Sequence, residues 1–113
     1  MIISVKESNR INTLVGFSIK SRQVLIGSDA IINGKNSSAI GVILIDKNLS
    51  YNTQKKLNKL ETKNCRLWIL SNWEDLKVIK KGVKVISILK GNLCDAIIKT
   101  FLEEEYAGSK NDK

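Results

Sequence analysis

The chain has no histidine and no proline, and only two cysteines among its 113 residues. Without histidine it lacks the commonest general base and the commonest metal ligand. Cys65 and Cys94 alone do not assemble a structural zinc site, which needs four histidine or thiolate ligands. In a reducing compartment the two thiols are expected free and buried rather than joined. Aromatic residues make up 5% of the chain, and no apolar run approaches the roughly 20 residues of a membrane-spanning helix. The opening "MIISVKESNR" lacks the apolar core and small-residue cleavage site of a secretory signal, so the expected location is the cytoplasm. No nucleophile–base pair and no metal cluster is visible, which argues against an enzyme, a metal site or a cofactor.

What is abundant is positive charge. The balance is 19 Lys+Arg against 11 Asp+Glu, a formal net charge of +8 on a small body. Such an excess favours a polyanionic partner, most often nucleic acid. The plain alternative is a basic, well-solvated surface.

With proline absent, boundaries come from Gly, Ser, Asn and Asp. Residues 1–105 read as one domain and 106–113, "YAGSKNDK" from Tyr106, as a flexible tail. Ile11, Leu14, Val15 and Ile19 recur at helical spacing, and "QVLIG" after them is a short strand closed by Gly27. Ser28 is placed to cap a brief helix, "DAIIN", that stops at Gly34. "IGVILI", Ile40 to Ile45, is apolar and β-branched, which suits a central strand covered on both faces. Ser50 opens a lysine-rich helix, and "RLWIL" is the next strand. Ser71 and Glu74 have capping-box spacing ahead of "DLKVIKK", read as a fourth helix. "VKVISIL" is the last strand and "NLCDAIIKTFLEEE" the last helix. Strands alternating with helices imply an α/β fold, a three-layer α/β/α sandwich with a four-stranded mixed sheet.

The stretch "GSDAIINGK" bears most directly on function. A strand turning through Gly27 into a helix leaves backbone N–H groups pointing outward, and glycine lets a partner approach closely. Lys20 and Arg22 lie just upstream and Lys35 just downstream. Taken alone this is a weak motif, because most strand-to-helix turns share the geometry.

Three segments strengthen it. "LVGFSIKSRQVLIGSDAI", "VILIDKNLSYNTQKKL" and "VISILKGNLCDAII" resemble, in order and spacing over about residues 8 to 102, the ribosomal protein L-seven-Ae family and its bacterial YlxQ-like branch. That resemblance implies a non-enzymatic protein that binds kink-turns, sharply bent RNA elements built on tandem sheared G·A pairs, with ribosomal RNA and the ribosome among its expected partners. It implies that Gly27, Ser28 and Asp29, at the second helix, sit against the bent backbone. Asn33 lies in the same helix, and Leu89 and Lys90 in a loop beside the RNA. The family signature after the glycine is roughly x-Asn-Glu-x-x-Lys; here Asp29, Ala30 and Asn33 stand at those positions. Asp29 accepts hydrogen bonds from guanine but donates none, Ala30 does neither, and Asn33 has no charge. At about 1–3 kcal/mol per base contact, two losses weaken specific binding by one to several powers of ten. The expected RNA-binding set is therefore Lys20, Arg22, Gly27, Ser28, Asp29, Asn33, Lys35, Leu89 and Lys90. Phosphate contacts dominate it, and their strength falls with salt. The other reading that Ala30 and Asn33 invite is a protein-interaction module that has kept the sandwich and lost the RNA reader.

Overall fold

The computed structural model describes residues 2–6, 8–34 and 37–111. Ile2–Ile3 form β1, Ser8–Lys20 α1, Val24–Ile26 β2, Ser28–Ile32 α2 and Ile40–Asp46 β3. Tyr51–Asn58 form α3, Arg66–Leu70 β4, Val85–Leu89 β5 and Asn92–Asn111 α4. Short 3-10 turns occupy Ser37–Ala39 and Trp73–Asp75.

All five strands join one mixed sheet in the order β1-β4-β3-β5-β2. The β1·β4 and β3·β4 pairs are parallel, whereas β5 is antiparallel to both β3 and β2. The sheet therefore has five strands, not four. The extra one, β1, is two residues long and pairs Ile2 with Ile69 and Ile3 with Leu70 on an outer edge. Two residues are too few to display a period-2 pattern, so only pairing reveals the strand.

β3 is buried along its whole length, as a continuous β-branched run requires. Its side chains alternate between two cores. Val42 and Leu44 join Ile11, Val15, Ile97 and Phe101 under α1 and α4. Ile43 and Ile45 join Ile31 and Leu57 under α2 and α3. The helices thus lie in two layers, one on each face of the sheet. Trp68 bridges inward from β4 and stacks on Phe101 with ring centroids 5.0 Å apart. Its indole N–H reaches the Glu105 carboxylate, while Glu104 accepts the Lys6 backbone N–H. Two of the three acidic residues at 103–105 therefore fasten α4 to β4 and to the start of the chain.

Two expected helix features are absent. Gly27 rather than Ser28 occupies the N-cap of α2, with φ +92°, and no side chain caps the helix. The segment after Ser71 forms only the 3-10 turn, so four α-helices are present among the described residues and not five. Tertiary bonds explain this. Asn72 accepts the Val5 N–H, donates to Val5 O and donates to Asp75, which commits the first turn to the chain's start. Beyond it, Lys77, Lys80, Lys81 and Lys84 would stack like charges at helical i, i+3 and i+4 spacing. At the other end of the chain, α4 continues to Asn111, through most of the segment read from sequence as a tail.

A bulge in β3 shapes one end of the sheet. Ile40 pairs with Leu89 and Val42 with Ile88, so Gly41 is the extra residue. A Cβ added at Gly41 would lie 2.4 Å from Cys94 Sγ and 3.2 Å from Lys90 Cγ. Glycine is therefore what lets the first turn of α4 rest on the strand. Gly41→Ala is expected to lower stability by about 1–3 kcal/mol through overpacking. In a urea-unfolding cycle with Cys94→Ala, which removes the obstructing sulfur, the double variant should be more stable than the two single effects predict. Strict additivity would refute the steric conflict.

Candidate nucleic-acid interface

The expected RNA-binding residues divide between the two ends of the β2–β5 pair. Gly27 donates its N–H to Val85 O at 3.1 Å, at the start of β5. Leu89 donates to Gln23 O at 2.8 Å, at the end of β5. The two bonds are roughly 13 Å apart along the strand, at 3.3 Å per residue. Gly27, Ser28 and Asp29 thus belong to one end of the sheet. Arg22, Leu89 and Lys90 belong to the other. The expectation of a single cationic cluster around one helix start is corrected: antiparallel pairing sends the two ends of β2 to opposite ends of β5. Lys35 lies outside the described residues.

At the Gly27 end, positive φ accounts for the glycine, since an added Cβ would meet nothing within 4 Å. Gly27 O accepts the first helical bond, from Ile31 N at 3.4 Å, and Asn33 N closes the helix on Asp29 O. The backbone N–H groups of Ser28, Asp29 and Ala30 precede the first intrahelical donor and have no side-chain cap. With five residues, α2 sums few peptide dipoles. Side chains must therefore supply most of any attraction for an anion.

Those side chains are on the loop before β5: Lys77, Lys80 and Lys81 from the segment expected to be a helix, and Lys84 from the start of the expected strand. Lys84 immediately precedes Val85, the acceptor of the Gly27 N–H, and Lys77, Lys80 and Lys81 lie earlier in the same loop, all exposed. The loop is anchored at several points. Trp73 donates its indole N–H to Val83 O at 2.9 Å, Asp46 N–H bonds Lys84 O at 2.9 Å, and Asn12 accepts the Val78 N–H. The four lysines line an open cleft of about 440 Å³ together with Asp46, Glu74 and Leu76. The Asp46 carboxylate already accepts the Asn48 N–H. The legible signal was the lysine spacing itself, which equally suits the solvated face of a helix. Asp29 in the first turn of α2, Ala30 after it and Asn33 at the C-cap are all exposed.

At the opposite end, α1 stops in a six-residue motif: Gln23 N–H bonds Ser18 O and Arg22 N–H bonds Ile19 O. Arg22 takes the left-handed position there at φ 58°, with Lys20 exposed just before it. Leu89 is half-buried and packs into the core under α2 and α3, so it is not the free apolar contact expected of it. Lys90 is exposed, and its backbone N–H is tied to Ala39 O. Both cysteines are free and buried. Burial pushes the Cys94 thiol up to about 11, with Asp95 and Cys65 adding to the rise against Lys90. Burial also raises Cys65. Neither is a ready nucleophile near neutral pH. Among the described residues no three metal-ligating side chains converge, and no helix is long and apolar enough to cross a membrane.

No protein-family model and no curated protein matches the chain. Solved structures do. A protein of unknown function from Bacillus halodurans superposes with TM-score 0.68 at 17% identity, covering 80% of this chain and 95% of that one. The Giardia lamblia 15.5kD RNA binding protein superposes with TM-score 0.65 at 15% identity, covering 89% of this chain and 90% of that one. The fold is shared with an RNA-binding protein. At these identities the likeness is one of architecture.

Proposed function

We propose that this protein is a non-enzymatic binder of structured RNA that receives a kinked backbone at the Gly27 end of its sheet. The observation that carries the reading is the architecture shared with the Giardia RNA binding protein over 89% of this chain. The site agrees with it chemically. Uncapped backbone donors at Ser28 to Ala30 adjoin a strand start that is preceded by four exposed lysines. Cations supply affinity by releasing counterions from phosphate, and the backbone donors orient the chain. Ala30 and Asn33 offer the base edges little, so discrimination between sequences is weak and the salt dependence steep. A cytoplasmic role on ribosomal RNA fits the same chemistry.

The test is a titration of the protein against a kink-turn RNA and the same RNA with its G·A pairs disrupted, at several salt concentrations. The expected result is a measurable but modest preference for the intact kink, with affinity falling steeply as salt rises. Equal affinity for the two RNAs would remove the kink-turn assignment. Absence of binding at low salt would remove RNA altogether and leave a protein-interaction module, the reading favoured by the neutral Ala30 and Asn33.

A further inference from the structure

A second basic surface lies at the end of the sheet away from Gly27. Two open clefts meet there, of about 480 and 380 Å³, and they share Asn64 and Lys90. Lys63 and Arg66 line the larger and Lys59 the smaller. All four cations are exposed. Among the described residues the only carboxylate in either lining is Asp95, with Glu61 adjacent to the smaller cleft through its field on Cys65.

The cations are held by backbone that cannot easily move. Thr62 accepts the N–H groups of both Asn64 and Cys65 on its hydroxyl and exchanges backbone bonds with Cys65, which presents Lys63 at the tip of a tight turn. Arg66 starts β4, in register with Val42. Lys90 follows β5, and the missing side chain at Gly41 leaves space for its stem beside Cys94. Strand ends and a locked turn thus place Lys63, Arg66 and Lys90, with Lys59 at the C-cap of α3, along a trough formed where the two clefts meet at Asn64 and Lys90.

We propose that this trough binds a second stretch of RNA phosphate backbone, so that one molecule holds two segments of an RNA at opposite ends of its sheet. The proposal rests on the RNA-binding reading and extends it to a separate surface. Phosphodiester suits the trough because four exposed cations and the Asn64 amide stand at its rim, and among the described residues its lining holds no aromatic platform on which bases could stack.

The experiment compares the wild-type protein with a Lys59→Ala, Lys63→Ala, Arg66→Ala, Lys90→Ala variant. Each is titrated with a kink-turn RNA carrying or lacking a single-stranded flank, over a range of salt. On the flanked RNA, the slope of log affinity against log salt should fall by about 2–3 in the variant, at roughly 0.7 per phosphate contact on single strands. On the bare kink-turn it should stay unchanged. Lys63→Ala and Lys90→Ala, each with an unaltered urea midpoint, should show the same direction singly. Wild-type binding with equal slopes for wild type and variant on the flanked RNA would overturn the second surface and leave the Gly27 site standing. Failure of the wild type to bind either RNA at low salt would overturn both.

Discussion

Replacing Lys77, Lys80, Lys81 and Lys84 together by alanine should weaken binding to a kink-turn RNA on the order of a thousandfold at low salt. The salt slope should fall by about 4, close to one unit for each phosphate that is no longer neutralised. The substitutions remove only exposed side chains; the anchoring bonds of the loop, from the Trp73 indole to Val83 O and from Asp46 N to Lys84 O, involve none of them. Thermal stability should therefore change little, with relief of like-charge repulsion acting in its favour. The matched control is Lys55→Ala with Lys56→Ala on α3, which takes exposed charge from a helix face outside the loop. Filter binding of all three proteins checks the result. If the loop variant binds as the α3 variant does, general basicity and not the Gly27 end carries affinity.

The second large effect is on the fold. Phe101 is fully buried, stacks on Trp68 and joins α4 to the core beneath α1. Phe101→Ala should destabilise the protein by about 3–5 kcal/mol, because the cavity it leaves is walled by strands and helices that cannot close on it. That is a large part of the roughly 5–15 kcal/mol typical of a domain, and corresponds to a fall in melting temperature of roughly 10–20 °C. The intrinsic fluorescence of Trp68 should shift once its stacking partner is removed. Phe17 is 52% exposed, and Phe17→Ala should stay within about 0.5 kcal/mol of wild type. Urea midpoints decide between them, and similar values for the two variants would contradict the packing of Phe101 on Trp68.

Neither prediction follows from composition, and the reasons differ. The segment "NLCDAIIKTFLEEE" was legible as the last helix, but the identity of Phe101's partner was not, since Trp68 lies 33 positions earlier in the chain. The lysine loop was misread because local signals favoured a helix. Ser71 and Glu74 have capping-box spacing, yet Asn72 is drawn instead into three hydrogen bonds with Val5 and Asp75. A contact across 67 residues thus outweighs a local cap.

Alternation of apolar runs determined the α/β class, and the unbroken run of β3 announced a strand buried on both faces, because hydrophobic burial is written residue by residue. The net charge of +8 likewise set the chemistry of the expected partner before any folding was considered. Which cations stand together is another matter. It depends on β2 running antiparallel to β5, which separates Arg22 from Gly27 and sets Lys84 beside the strand end where Gly27 is tied. Strand direction is chosen by pairing between segments 62 residues apart at Leu25 and Ser87, and no local run of side chains encodes it.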